Sequence, residues 1–355
     1  MGNNNIAIKL LKWYSKSKRD LPWRNSKNPY YIWLSEIILQ QTRVDQGLPY
    51  YLKFIEKYPD VHHLAVASEE DVLRTWQGLG YYSRARNLHK CAKELVESYQ
   101  GSFPSTRAML EKLPGIGSYT SAAIASLAFG KKEAVVDGNV TRVITRLYGI
   151  QNDISNQKTK AQIKNIVDDL IPASSPDLFN QAIMEFGALQ CTPKNPNCEV
   201  CEFKGNCTAQ LKGKQRKIPF KPQKPNKRTR FYNYFLIEIN GDFLLRKRIK
   251  KDIWKGLFEF FMIENVAEVP PDHFQFPKNL IEQRDNWKID SESKIFKHIL
   301  SHQIIMCRFF NIQTDKNFNF NPMDWPEYKL YSKEEIDALP KSILINKYLE
   351  EELFD

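Results

Sequence analysis

The chain contains 355 residues, of which 42% are hydrophobic and 12% aromatic, so it can build a folded core and is long enough for two domains. No apolar run approaches the roughly 20 residues of a membrane-spanning helix, and the first residues lack the basic-then-apolar pattern of a secretory signal. We therefore expect a cytoplasmic protein. Lys and Arg number 52 against 41 Asp and Glu, a net charge of +11, which favours a polyanionic partner such as nucleic acid.

The first 211 residues have the pattern of a domain built from many helices. Apolar residues recur there at helical spacing, and turns containing Gly or Pro separate the periodic segments. The predicted helices include residues 33–39, 72–76, 92–99, 118–129 and 140–148. We predict an all-α domain over residues 1–211.

A glycine-containing turn, Leu113-Pro-Gly-Ile-Gly-Ser118, precedes the predicted helix 118–129, which is rich in Ala and Ser. A Gly-x-Gly turn that enters a helix leaves backbone N–H groups pointing outwards at the positive end of the helix dipole. Such a site can bind phosphate without a basic side chain. Alone the pattern is usually only a turn, but between two helices it predicts a helix-hairpin-helix motif.

Two carboxylates are candidates for acid–base chemistry. Glu36 falls on a predicted helix among apolar neighbours, an environment that raises a carboxyl pKa and lets the group hold a proton near neutrality. The alternative for Glu36 is an exposed position on the polar edge of that helix. Asp137 precedes Gly138 and Asn139 and is predicted to cap a helix, a geometry that also aims a charge into a cleft.

Four of the six cysteines form the pattern Cys191-x6-Cys198-x2-Cys201-x5-Cys207. Four thiolates in one short loop can hold a 4Fe–4S cluster. Structural zinc is the alternative, but zinc ribbons usually present two closely spaced pairs and only one pair here has x2 spacing. Because the cysteines are clustered, the pattern also argues for a metal site in a reducing compartment and against a disulfide framework.

The positive charge is concentrated between the two halves of the chain. Residues 212–230 contain nine basic side chains and no acidic one, with Pro219, Pro222 and Pro225 spaced three apart. This composition favours an extended polyproline conformation. We predict a basic linker that can follow a phosphate backbone, and a solvated spacer without contacts is the alternative.

The remaining residues, 231–355, have a net negative charge and a β pattern. Two strand-like runs, 231–239 and 242–248, flank Asn240-Gly241, which is typical of a hairpin turn. Further predicted strands and helices cover residues 258–263, 304–312, 332–339 and 342–354. We predict a second domain of the α+β class.

In this order, these features resemble the helix-hairpin-helix DNA glycosylases with an iron–sulfur loop, and within them the MutY-type adenine DNA glycosylases. The matching motifs are residues 21–24, 33–44, 78–88, 113–120, 136–140 and the cysteine loop 191–207. The resemblance implies base excision repair by a monofunctional DNA glycosylase that flips out and hydrolyses adenine mispaired with 8-oxoguanine or guanine. It also implies one 4Fe–4S cluster, held by Cys191, Cys198, Cys201 and Cys207.

The resemblance assigns roles within residues 1–211. Glu36 becomes the general acid, Asp137 stabilises the oxocarbenium-like sugar, and Tyr119 and Asn139 position them. Tyr119 stands where bifunctional endonuclease III relatives carry the Lys that forms a Schiff base, so no lyase step is expected. The implied substrate and DNA contacts are Trp23, Arg24, Leu39, Gln41, Tyr81, Leu113, Gly115, Gly117 and Ser118.

Residues 231–355 resemble the MutT (Nudix) fold, which in this family recognises 8-oxoguanine. The family triplet Phe-Ser-His is matched by Leu300-Ser301-His302, so Ser301 and His302 are the expected contacts and an aromatic ring is missing. No nucleotide-hydrolase box follows residue 231, so we expect this domain to recognise a base and hydrolyse nothing. The resemblance implies a monomer bound to double-stranded DNA in the nucleoid, with no membrane partner.

Two alternatives to this function remain open. The first is a glycosylase of another specificity, for oxidised pyrimidines or for G:T mismatches. The second is a DNA-binding protein with an iron–sulfur cluster and no catalytic activity, which the presence of both Glu36 and Asp137 disfavours.

Overall fold

The computed structural model describes residues 3–222 and 227–353. The chain divides into two compact units. Unit 1 consists of Met1–Val66 and Asn87–Lys224, and unit 2 of Ala67–Arg86 and Pro225–Asp355. Within the described residues no helix is both long and apolar enough to cross a membrane.

Unit 1 is built from helices, as the sequence predicts. Its helices are α1 (Asn3–Ser17), α2 (Pro29–Ile38), α3 (Val44–Lys57), α4 (Val61–Val66), most of α6 (Tyr82–Tyr99), α7 (Arg107–Leu110), α8 (Ser118–Phe129), α9 (Gly138–Tyr148), α10 (Gln157–Leu170), α11 (Pro176–Leu189) and α12 (Thr208–Leu211). A 3-10 turn, Pro22–Arg24, connects α1 to α2. The predicted helix 118–129 coincides with α8, and the predicted segments 33–39 and 140–148 lie on α2 and α9.

The core of unit 1 lies between α1, α9, α10 and α11. Trp13 of α1 packs edge-on against Phe186 of α11, with ring centroids 5.0 Å apart, and Phe186 in turn contacts Phe203 at 5.3 Å. Phe203 belongs to the cysteine loop, so this aromatic chain anchors the loop in the core. On the other side, the small residues Ala122 and Ala123 of α8 let α2 approach closely.

Unit 2 contains a mixed seven-stranded sheet. Its strands are β1 (Arg228–Ile239), β2 (Asp242–Lys247), β3 (Phe258–Asn265), β4 (Trp287–Glu292), β5 (Phe296–Ile299), β6 (Gln303–Thr314) and β7 (Tyr328–Tyr331). The order is β4-β6-β1-β3-β2-β7, with β5 also paired to β6. The predicted hairpin is confirmed, because β1 and β2 pair antiparallel across Asn240 and Gly241, whose φ angles are 54° and 91°.

Four features of unit 2 are not predicted from the sequence: strands β4, β5 and β7, and the parallel pairing of β1 with β6. Its helices are α5 (Glu69–Thr75), α13 (Lys278–Ile281), α14 (Lys333–Ala338) and α15 (Ile343–Tyr348), with a π turn at Leu349–Leu353. Phe309 of β6 stacks on Tyr348 of α15, with ring centroids 4.0 Å apart. This stacking packs the last helix against the sheet.

Residues 67–86 pack with unit 2 although the sequence groups them with the helices of unit 1. Glu70 pairs with Lys247 at 2.9 Å, and the Gln77 side chain accepts a hydrogen bond from the Lys341 backbone N–H at 2.9 Å. Arg86 donates to the Lys255 carbonyl at 2.5 Å. These contacts join residues more than 150 positions apart, which local periodicity does not reveal.

Much of the predicted linker, residues 212–230, packs within one or the other of the two units. The Ile218 carbonyl accepts a hydrogen bond from Arg146 at 2.9 Å, the Ile218 side chain is buried, and Phe220 bridges to Asp153. At the other end, Arg228–Arg230 already belong to β1. The central residues 223–226, including Pro225, lie outside the described residues, and the contact of this segment with phosphate stays a prediction.

Candidate active site

Two cavities of unit 1 share the same four side chains. The wide cleft has a volume of about 1100 Å³ and the narrow pocket one of about 590 Å³. Both are lined by Glu36 from α2, Leu39 at its end, Tyr119 from the first turn of α8 and Asp137 just before α9. The two candidate carboxylates therefore lie where the cavities meet.

Glu36 faces the cavities from α2 near Tyr119, whose hydroxyl donates to Met184 Sδ at 3.6 Å. Burial raises the pKa of Glu36 to about 7, against the lowering effect of the Tyr119 hydroxyl. The negative charge of Asp137 raises the pKa further and the positive charge of Arg24 lowers it. A carboxyl group with this pKa can hold a proton near neutral pH, as a general acid requires.

Asp137 is the N-cap of α9, which confirms the predicted helix cap. Its Oδ1 accepts the Val140 backbone N–H at 2.7 Å, and its Oδ2 accepts the Asn139 side-chain amide at 2.8 Å. Burial raises the pKa of Asp137, but these hydrogen bonds and the Arg142 guanidinium favour the ionised form. Asp137 is thus held by hydrogen-bond donors, whereas burial is the main influence on Glu36, which lines the same cavities.

Asn139 is itself fixed by residues that no sequence motif indicated. Arg142 donates to the Asn139 side-chain oxygen at 2.7 Å, to the Gly187 carbonyl at 2.6 Å and to the Cys191 carbonyl at 2.7 Å. A Cβ at Gly187 would lie 2.6 Å from the Asn139 Cβ. Glycine at position 187 is therefore required for α11 to approach the start of α9.

The narrow pocket also contains the predicted substrate contacts Trp23, Arg24 and Leu39. Trp23 is buried and packs edge-on against Tyr51, with ring centroids 5.0 Å apart. Two further charged residues, Arg19 and Glu185, line this pocket. Neither lies in the motifs on which the family resemblance rests. They are distant in sequence, and only the fold brings Glu185 of α11 to the 3-10 turn that carries Arg24.

The helix-hairpin-helix turn borders the wide cleft. Gln41, Gly115, Gly117 and Ser118 line it, and Gly117 is the N-cap of α8 without a side-chain cap, which leaves the helix start accessible to an anion. Gly115 has a φ of +75°, and a Cβ there would lie 2.6 Å from the Asn87 Cβ. The Leu113 side chain is buried, so any contact from this residue has to come from its backbone.

Three of the predicted contacts, Tyr81, Ser301 and His302, lie in unit 2. Ser301 and His302 form the exposed tip of the β5–β6 hairpin, with Ser301 Oγ 3.1 Å from His302 Nδ1. Lys227 donates to the Leu300 carbonyl next to them at 2.7 Å. Tyr81 is 45% exposed with a φ of +51°, and the Arg84 guanidinium lies 5.3 Å from its ring centroid.

The four predicted metal ligands, Cys191, Cys198, Cys201 and Cys207, line one cavity of unit 1. Arg146 donates to Cys191 Sγ at 3.3 Å, and the Phe203 backbone N–H donates to Cys201 Sγ at 3.4 Å. In the part of the chain that the structure describes, no three or more His, Cys, Asp or Glu side chains are arranged as a metal site. The donor set nevertheless fits an iron–sulfur cluster in its chemistry, because four cysteines line one cavity and N–H groups donate to two of their sulfurs.

Two families match this chain, over separate residue ranges. Residues 34–169 match the family described as HhH-GPD superfamily base excision DNA repair protein. Residues 233–351 match the NUDIX domain family. The second match covers most of the mixed sheet.

Curated relatives cover most of the chain. The adenine DNA glycosylase of Buchnera aphidicola from Schizaphis graminum is 34% identical over 336 residues, 94% of this chain and 95% of that protein. The adenine DNA glycosylase of Buchnera aphidicola from Acyrthosiphon pisum is 38% identical over 260 residues, 73% and 74% of the two chains. A solved structure of a thermostable thymine-DNA glycosylase is 30% identical with a TM-score of 0.54, covering 59% of this chain and 97% of its own.

Proposed function

Because the chain belongs to the adenine DNA glycosylase family of the HhH-GPD superfamily, with a C-terminal NUDIX domain, we propose that it excises adenine mispaired with 8-oxoguanine or guanine. The protein acts on DNA in base excision repair. The observation that carries the proposed mechanism is the position of Glu36 and Asp137 where the two cavities meet. One carboxyl group can give a proton there while the other keeps its charge.

Adenine has to leave the helix before its glycosidic bond can be reached, which costs a few kcal/mol. In our proposal the flipped adenine enters the narrow pocket, against Trp23, Arg24 and Leu39. Gln41 and Tyr81 fill the space that it leaves in the base stack. The N–H groups at the start of α8 bind a phosphate of the same strand.

Glu36 then protonates adenine as the glycosidic bond breaks, because an unprotonated purine is a poor leaving group. Positive charge develops on the sugar, and Asp137 stabilises it. Glu36, now deprotonated, activates the water that completes hydrolysis. Tyr119, which lines the same cavities, orients Glu36, and Asn139 orients Asp137 through its hydrogen bond.

We expect Glu36→Gln to bind a duplex containing adenine opposite 8-oxoguanine while losing adenine release by on the order of 10² to 10⁴ fold, since glutamine cannot donate the proton. In the native protein, the single-turnover rate should fall as the pH rises through about 7, where Glu36 loses its proton. This pH dependence should be absent in Glu36→Gln.

Glu56→Gln on α3 is the matched control, because Glu56 is exposed and lies outside both cavities. It should retain the native rate and pH profile. Adenine release by Glu36→Gln near the native rate would remove Glu36 from the role of general acid.

The proposal includes glycosidic hydrolysis without strand cleavage, because the Tyr119 hydroxyl cannot form a Schiff base. Borohydride added during the reaction should therefore trap no protein–DNA adduct, and abasic product should stay intact until base or heat is applied. Denaturing gel electrophoresis measures both. Stoichiometric trapping would contradict a monofunctional reaction.

We propose that Cys191, Cys198, Cys201 and Cys207 hold one 4Fe–4S cluster, which supplies a rigid, cross-linked loop. Burial raises the pKa of Cys201 to about 11, so a bound cation is needed to keep that sulfur as thiolate. Metal analysis of the purified protein should give four iron atoms per chain, the stoichiometry of this cluster type, and no stoichiometric zinc. One zinc per chain would favour the alternative structural site.

For unit 2 we propose that the hairpin tip reads the base opposite adenine. Ser301→Ala should reduce the preference for 8-oxoguanine over guanine, because a hydroxyl that can contact the modified base is lost. Single-turnover excision of adenine opposite each base measures this ratio. Ser291→Ala, on the neighbouring strand β4, should leave it unchanged, and an unchanged ratio in Ser301→Ala would exclude this role for the hydroxyl.

A further inference from the structure

Glu185 is the most completely paired buried carboxylate in the narrow pocket. It is 1% exposed, and it accepts hydrogen bonds from two guanidinium groups. Arg19 donates through Nε at 2.9 Å and Nη2 at 2.7 Å, and Arg24 donates through Nη1 at 2.9 Å and Nη2 at 2.7 Å. Two forked ion pairs on one carboxylate fix both guanidinium planes.

These ion pairs affect Glu36, the proposed general acid, through Arg24. The positive charge of Arg24 acts on Glu36 and favours its deprotonated form, which opposes its proposed role as a proton donor. Glu185 is the carboxylate that directly pairs with Arg24. Arg19, Arg24 and Glu185 together carry one net positive charge, and without Glu185 they would carry two.

We propose that Glu185 is a positioning residue for adenine excision, which fixes the Arg24 guanidinium in the wall of the pocket and offsets its charge beside Glu36. This inference rests on the proposed function of Glu36. It assigns Glu185 no contact with the reacting atoms. Its effect on the reaction passes through Arg24.

Other charged groups also act on these two carboxyl groups. Glu36 faces Tyr119 from α8, Asp137 before α9 and Arg24 from the 3-10 turn. Glu185 faces Arg19 and Arg24, and the Arg24 guanidinium lies 5.7 Å from the Tyr14 ring centroid. The remaining charged side chains of the pocket are Arg43, Asp45 and Arg142. A substitution of Glu185 changes none of these other side chains chemically, so the shift in the midpoint reports on the charge and the position of Arg24.

The test measures single-turnover adenine release between pH 5.5 and 9 with the full-length, metal-loaded protein. Glu185→Gln should move the midpoint of the alkaline decline to lower pH by on the order of one unit, which is about a tenfold loss at pH 8. Glu185→Asp should shift the midpoint less, because it keeps the charge. Arg19→Gln should shift it to higher pH, because the same carboxylate then offsets Arg24 alone.

Asp177→Asn is the matched control. Asp177 lies on the same helix, α11, and pairs with Lys27 outside both cavities, so its loss should leave the midpoint unchanged. If Glu185→Gln lowers the rate equally at every pH, or if Arg19→Gln does not raise the midpoint, the proposal is overturned. Arg19→Gln also decides the question if Glu185→Gln does not fold.

Failure of the proposed function gives a different result. In that case the native protein would show no alkaline decline that Glu36→Gln abolishes. Failure of the present proposal alone leaves that decline intact and insensitive to Glu185.

Discussion

The close approach of α11 to the start of α9 is the constraint on which the site depends. Gly187 leaves room for Asn139, and Arg142 ties the two together through the Gly187 carbonyl and the Asn139 side chain. Asn139 in turn holds one oxygen of Asp137. Because Arg142 also bonds the Cys191 carbonyl, the position of Asp137 and the first residue of the cysteine loop are fixed by the same guanidinium.

The surroundings of the two carboxyl groups act differently on their pKa values. Glu36 sits on a helix whose neighbours are apolar, and desolvation is the largest influence on its pKa. Burial also raises the pKa of Asp137, but the backbone N–H of Val140 and the side-chain amide of Asn139 donate hydrogen bonds to its two oxygens. Hydrogen bonds to the charged form oppose the effect of burial more strongly at Asp137 than at Glu36. Under the proposed mechanism, this difference in surroundings is what allows one carboxyl group to donate a proton while the other stays ionised.

Local sequence patterns predicted many of the helices and strands, but they could not predict which distant residues pair with one another. The helix 118–129, the Asn240-Gly241 hairpin and the Asp137 cap follow from residues within a few positions of one another, so spacing alone indicates them. The Glu185 ion pairs join residues more than 160 positions apart, and the parallel pairing of β1 with β6 joins residues 75 apart. Neither leaves a periodic or compositional signal. The motif-derived residues Glu36, Tyr119 and Asp137 nevertheless come together, because each occupies a helix start or face that local sequence determines.

The nine basic side chains counted in residues 212–230 overstate the positive charge that this segment has available to bind phosphate. Arg230 is buried between Asp252 and Glu264, bonded to Glu264 at 2.6 Å and to Asp252 at 2.7 Å, so it is neutralised within unit 2. Arg228 lies 4.0 Å from Glu264, and Lys214 is hydrogen-bonded to Gln151. A guanidinium committed to two carboxylates cannot also release counterions from a phosphate backbone. We therefore expect more of the proposed phosphate binding to come from the wide cleft, which is lined by the start of α8 and by Lys160 of α10.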